Sequence, residues 1–208
     1  MKTAVFSPEQ EQVVIGSVLG DGHLYRQDTP KCNSGFKVSH IEREYSLWKY
    51  NQLKSTGLLN PPTPRRRLDK HTSWLLQSRR NPFFTSLRAL FYPEGKKIIT
   101  LDLLRKLTIL GLAVWYMDDG NLSLRHTAHS WRSLRGYPRV SLATCDFTYQ
   151  ENEVIRDWFK EKYGFHFHIN LNPYPLLRLG LNKEVNEFIS MIKPFIIPSM
   201  ERKVSPLW

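Results

Sequence analysis

Two stretches of the chain end on an acid in the same way. VVIGSVLGDGHL (13–24) closes on Asp21 between two glycines, and LGLAVWYMDDGNL (110–122) closes on Asp118-Asp119 before Gly120. Each apolar run reads as a buried helix, so each acid falls at a helix C-terminus. A carboxylate is unfavourable there, because the macrodipole is negative at that end. If the two helices pack together, the acids also repel each other. Divalent cations relieve both penalties, and carboxylate oxygens with free backbone carbonyls suit Mg²⁺, which keeps several waters. Two such ions activate a water and stabilise the leaving oxygen in phosphodiester hydrolysis. Register separates the neighbouring acids. Asp119 precedes Gly120 as Asp21 precedes Gly22, whereas Asp118 falls where Gly20 does. Asp21 and Asp119 are therefore the candidate metal ligands, with the backbone carbonyls of Gly20 and Asp118 as further donors.

Bringing the acids together requires a close helix seam. Ser7-Pro8-Glu9-Gln10 is a helix start, with Ser7 as N-cap, Pro8 in the first turn and Gln10 closing a capping box. The helix runs to about Leu19. Gly16 and Gly20 lie four apart on one face and leave a flat strip for another backbone. Each glycine costs about 1 kcal/mol against Ala within a helix, a cost that close packing offsets. Beyond Asp21, residues 23–40 read as a hairpin turning around Asp28–Gly35. A helix carrying Ile41, Tyr45, Trp48 and Leu53 stops near Gly57, and PPTP (61–64) breaks the chain. Residues 65–80 form a second, strongly basic hairpin. Asn81-Pro82 caps a short helix to about Tyr92. The order is α-β-β-α-β-β-α.

The second half repeats that order. Thr100 caps a helical stretch, in one piece or two, ending at Met117. Residues 121–145 hold two strands and a longer loop. Thr148 and Glu151 make a capping box for a helix over 149–163, closed by Gly164. Residues 165–181 give two alternating strands, and Asn182 caps a helix to about Lys193. The Asn81 helix start matches the Asn182 start, and PEGKK (93–97) resembles PSMERK (198–203). The expected fold is α+β: a duplicated αββαββα with halves 1–98 and 99–208, docked by pseudo-two-fold symmetry. The seam falls at Gly16 and Gly20 in one half and Gly111 and Ala113 in the other.

Charge narrows the partner. Thirty Lys and Arg stand against nineteen Asp and Glu, a net +11 in 208 residues. That excess points to a polyanion, nucleic acid before a membrane surface. Apolar residues at 41% and aromatics at 12% exclude global disorder. Cys32 and Cys145 are too few for a disulfide framework or a zinc site and read as plain thiols in a reducing compartment, a bacterial cytoplasm or organelle matrix. No signal peptide is visible and no apolar run reaches about 18 residues, so no membrane association is expected. A structural protein or a metabolic enzyme explains neither the charge nor the duplication.

These residues resemble the LAGLIDADG homing endonucleases in their two-motif, single-chain form. VIGSVLGDG (14–22) and LAVWYMDDG (112–120) are similar to the two copies of the motif, although neither is letter-perfect. LNKEVNEFISMIKPFIIPSMERKV (181–204) resembles the closing segment of the intron-encoded branch. The likeness spans about Gln10 to Val204. It implies two αββαββα halves around the motif helices, each offering a saddle-shaped antiparallel sheet to the DNA major groove. It implies that Asp21 and Asp119 bind two or three Mg²⁺ ions and cut both strands of a long, asymmetric site, leaving 3′ overhangs, in a monomer that promotes intron mobility. It also implies a basic residue per half near the scissile phosphates, by position Lys97 and Lys203, with Lys96 adjoining the first. A Lys there can orient a water and offset phosphate charge. Some members of the family bind their intron RNA as maturases without cutting. Two motif acids with a Lys in each half favour cleavage over that alternative.

Strands with alternating polar side chains suit a groove, where Arg and Gln read guanine and adenine bidentately. The candidates are His23, Tyr25, Gln27, Lys37, Ser39, Arg65, Arg67, Gln77 and Arg79 in the first half. In the second they are Asn121, Ser123, Arg125, Arg139, Ser141, His166, His168 and Arg178. Period-two spacing keeps each set on one face. Loops at Lys31–Ser34 and His126–Arg135 could reach flanking DNA. His166 and His168 read as part of a strand face, with no third metal ligand nearby.

Overall fold

The computed structural model describes residues 5–26, 32–66, 72–125, 137–171 and 174–205. Helix α1 (Pro8–Leu19) is capped as its sequence dictates: the Gln10 backbone N–H donates to Ser7 Oγ (3.3 Å) and the Ser7 N–H to Gln10 Oε1 (3.0 Å). The chain continues through β1 (His23–Tyr25), β2 (Gly35–His40), α2 (Arg43–Leu53), β3 (Thr63–Arg66), β4 (Thr72–Gln77) and α3 (Pro82–Phe91). The second half runs α4 (Leu101–Arg105), α5 (Ile109–Asp119), β5 (Gly120–Arg125), β6 (Tyr137–Ala143), α6 (Tyr149–Tyr163), β7 (His168–Asn170), β8 (Leu176–Leu179) and α7 (Asn182–Ile192). The two sheets share one topology, β1-β2-β4-β3 and β5-β6-β8-β7, antiparallel throughout. Same order, same hand-off between strands: the architecture is the duplicated α+β one.

Helices α1 and α5 form the seam. Val13, Val14 and Val18 and the run Leu112–Met117 are at or near zero exposure, so α1 from Gln12 onward and α5 from Gly111 to Asp118 are buried on every side rather than along one stripe. Contact is backbone-close. A Cβ on Gly16 would stand 2.3 Å from the Gly111 carbonyl oxygen and 2.8 Å from Val114 Cβ. At the N-terminal end Gln12 staples the seam, donating to the Lys106 carbonyl (2.9 Å) and accepting from the Thr108 N–H (2.8 Å).

Several local expectations need correction. The stretch after Thr100 is in two pieces, as one of its two readings had it, because Thr108 starts a fresh N-cap, but α5 continues to Asp119 rather than stopping at Met117. Ile41 precedes α2 and is 55% exposed. PPTP is only half a break: Thr63 and Pro64 already pair with Leu75 and Trp74. The edge position of β3 tolerates a residue with no N–H to give. Asn182 is the first residue of α7, whose N-cap is Leu181 without a side-chain bond, whereas Asn81 accepts from the Phe83 N–H (2.9 Å). Among the described residues no helix is long and apolar enough to cross a membrane.

Candidate active site

Both motif helices end at one place. After Leu19 the chain turns sharply, the Gly22 N–H donating to the Ser17 carbonyl at 2.6 Å. A Cβ on Gly22 would stand 2.5 Å from that same oxygen, and one on Gly20 would stand 2.5 Å from Asp118 Cβ. Glycine on either side of Asp21 is thus a packing requirement. The result is a cleft of about 400 Å³ whose walls include Asp21, Asp119, Lys97, His23, Tyr92 and Asp146.

The two acids are electrostatically strained. Desolvation, then the Asp118 and Asp21 charges, push the Asp119 carboxyl up to about 7. Asp21 keeps its side chain open to the cleft, yet the surrounding protein desolvates it and the Asp118 charge adds to the effect, so its carboxyl is also raised. Neither makes an ion pair among the described residues. Asp118 is different. Its side chain is fully buried and accepts from Lys49 Nζ through both oxygens, at 2.9 and 3.0 Å.

Each helix end also receives a lysine. Lys97 Nζ donates to the Leu19 and Gly20 carbonyls, both at 3.2 Å. Lys203 Nζ donates to the Asp118 and Gly120 carbonyls at 3.3 and 2.6 Å. Both carry out the same role in pseudo-equivalent places, and burial lowers the pKa of each. Ammonium groups complement a helix C-terminus directly. Lys96, beside Lys97, is exposed. The Gly20 and Asp118 carbonyls therefore point into the space that the lysines share with the acids. No group of three or more His, Cys, Asp and Glu side chains gathers as a metal cage among the described residues.

Strand register sorts the polar candidates. Directly paired residues share a face. His23 pairs with Lys37 and Lys37 with Gln77, while Arg65 pairs with Ser73 and Tyr25 with Gly35. His23, Tyr25, Lys37, Ser39, Arg65 and Gln77 thus lie on the open face, opposite Leu24, Val38 and Leu76 in the core. Tyr25 donates to the Ser78 carbonyl (2.7 Å) and accepts from Gln77 (3.2 Å). Arg79 lies past β4 with its guanidinium on the Gly57 carbonyl. In the second sheet Asn121, Ser141, Arg178 and His168 form one cross-strand row, and Ser123 pairs with Arg139. Arg125 pairs through its backbone with Tyr137. His166 does not join them: it precedes β7, and its backbone N–H and Nδ1 engage Glu184 of α7 at 2.7 and 2.8 Å. Gln27 and Arg67 lie outside the described residues, as do Lys31 and the His126–Arg135 loop.

Three residues near the acids escaped the sequence reading. Lys49 had a signal, since it stands four after Tyr45 on the inward stripe of α2. His40 ends β2 with Nδ1 accepting from the Glu42 N–H (3.0 Å), and desolvation, then the Lys49 charge, holds its imidazole down at about 4. Asp146 lies in the cleft across from Lys97, in a loop where nothing in the sequence marks it.

A duplicated α+β scaffold that pairs two helix-terminal acids at its own seam defines a two-motif, single-chain class. The model of the LAGLIDADG DNA endonuclease family matches residues 11–184, and the chain belongs to that family. A solved structure of the homing endonuclease I-WcaI bound to its DNA recognition sequence superimposes with a TM-score of 0.80, at 25% identity over 99% of this chain and 88% of that one. The probable intron-encoded endonuclease 1 of Wickerhamomyces canadensis is 27% identical over 94% of this chain and 83% of its own length. A protein named RecA from Mycolicibacterium fallax is 28% identical over 97% of this chain and 47% of its own length. The chain thus spans about half the length of several curated relatives that it matches.

Proposed function

We propose that the chain is a site-specific DNA endonuclease that makes a double-strand break in a long, asymmetric target by Mg²⁺-dependent phosphodiester hydrolysis. It leaves 3′ overhangs and promotes intron mobility. The observation that carries this reading is the pair Asp21 and Asp119 in one cleft with Lys97, at the junction of two sheets with polar open faces. Similarity to an endonuclease solved on its recognition DNA supports the same substrate class.

The donor set fits a divalent cation. Two desolvated, mutually repelling carboxylates make no ion pair among the described residues, and the carbonyls of Gly20 and Asp118 add hard oxygens. Asp21 and Asp119 would hold two or three Mg²⁺ ions between them. When bound, the metal supplies Lewis acidity, activating a water and stabilising the leaving oxygen. Lys97 and Lys203, rather than exposed Lys96, orient that water and offset phosphate charge. The halves 1–98 and 99–208 each read one side of the target, so a monomer suffices. Base and phosphate contacts fall to His23, Tyr25, Lys37, Ser39, Arg65, Gln77 and Arg79, and to Asn121, Ser123, Arg125, Arg139, Ser141, His168 and Arg178. Gln27 and Arg67 extend the first set.

The test is incubation with Mg²⁺ and DNA carrying the uninterrupted junction of the host gene. Double-strand cutting that disappears in both Asp21→Asn and Asp119→Asn is the expected result. Binding of spliced or unspliced intron RNA, with no DNA cut, would overturn it in favour of a maturase.

A further inference from the structure

Asp118 raises a problem that the two-acid site does not solve. It is a third carboxylate, adjacent in sequence to Asp119, and its charge raises the pKa of both Asp119 and Asp21. At the pseudo-equivalent position the first motif has Gly20, with no side chain at all. That glycine makes room for Asp118: a Cβ there would meet Asp118 Cβ at 2.5 Å and Oδ2 at 2.8 Å. The Asp118 carboxylate therefore lies in the seam between the two helix ends, against the backbone that carries Asp21.

Its partner comes from the other half. Lys49 projects from α2 and is 1% exposed, and both Asp118 oxygens accept from its Nζ. Tyr45, one turn earlier, lies under the same ammonium (4.4 Å to the ring centroid) and donates its hydroxyl to the Val114 carbonyl at 3.2 Å. Helix α2 thus grips the last two turns of α5 with two side chains of one face. Stability alone is a poor reason for such a pair, because apolar side chains of similar volume usually serve as well. Its location suggests another role.

Resting on the metal-site reading above, we infer that Lys49 is a positioning residue: it neutralises Asp118 and holds that carboxylate out of the cleft, so that of the three motif acids only Asp21 and Asp119 face the metal. The pair makes a near-symmetric two-acid site from an asymmetric sequence. Removing either partner then has opposite effects. In Lys49→Met a third carboxylate is released beside the cleft, and it attracts cations. In Asp118→Asn an unpaired buried ammonium remains there and repels them.

The experiment is titration of the full chain with Mn²⁺ alone, read by electron paramagnetic resonance, with circular dichroism to establish folding. Lys49→Met should bind Mn²⁺ about fivefold more tightly and Asp118→Asn about fivefold more weakly, the effect of one unit charge nearby at high effective dielectric. Adding Asp118→Asn to Lys49→Met should reverse the gain. Lys49→Gln is the fallback where Lys49→Met does not fold. Equal weakening in both single variants, or no change in either, makes the pair structural and overturns the inference, as does failure of every single variant to fold. Asp119→Asn is the control. If it leaves Mn²⁺ affinity intact, the metal-site reading itself falls and this inference with it. If it weakens binding while the Lys49 and Asp118 variants show no opposed response, this inference alone falls.

Discussion

An acid pushed up to about 7 holds its proton through most of the acidic range, and the stability of the metal-free protein should show it. The Asp119 carboxyl, ordinarily near 3.8, is raised in the folded chain to about 7, with desolvation the leading cause. Between those values the native state binds the proton and the unfolded chain does not. Stability from this group is therefore greatest at low pH and is lost as pH rises through 7, by up to about 4 kcal/mol. In EDTA, melting temperature should fall between pH 5 and 8 more steeply for the wild type than for Asp119→Asn. Adding Mg²⁺ should recover the wild type at the upper end and leave Asp119→Asn nearly unmoved. Equal slopes in the two proteins would show that Asp119 does not carry the strain. The acids themselves were legible because an apolar run closing on Asp-Gly occurs twice. The Lys49 contact was not, since its partner lies 69 residues away in the other half and no local pattern joins them.

At the scale of elements the seam decides whether the acids meet. Gly16 faces the Gly111 carbonyl, which cannot swing aside as a long side chain can, so Gly16→Ala must push α1 and α5 apart. Overpacking of this kind costs about 1–3 kcal/mol, and here it outweighs the roughly 1 kcal/mol that Ala gains in helix propensity. Urea denaturation of Gly16→Ala should give a lower midpoint, with cleavage of the host-gene junction falling further than stability alone explains. A variant with wild-type midpoint would mean that the seam is looser than its geometry. Elements set by local chemistry were readable in advance: the Ser7–Gln10 and Thr148–Glu151 boxes cap α1 and α6 as their spacing dictates. Elements set by tertiary context were not. His166 keeps the alternation of His168, yet Glu184 draws it off the sheet before β7 begins. Pro64 reads as a break until the strand proves to be an edge.

For the whole molecule, charge and topology make one demand. The net +11 is not spread evenly through the candidate site, where Asp21, Asp118 and Asp119 sit at the centre and Lys37, Arg65, Arg139 and Arg178 stand on the open sheet faces to either side. Such a layout suits a phosphate backbone running along the basic flanks, while Lys49, Lys97 and Lys203 partly offset the central acids. If six to ten phosphates are engaged, affinity for duplex DNA should fall by about 10³ to 10⁵ between 50 and 200 mM salt. The slope of log affinity against log salt, measured by fluorescence anisotropy in Ca²⁺, should lie near −5 to −9. Single changes then separate the roles of the flanking residues. If Arg65 contacts phosphate, Arg65→Gln lowers the slope by about one on every sequence. If it reads a base edge, the slope changes less and discrimination at one position is lost, worth about 1–3 kcal/mol. A slope near zero for the wild type would contradict the flanking-cation layout altogether, whatever the central acids do.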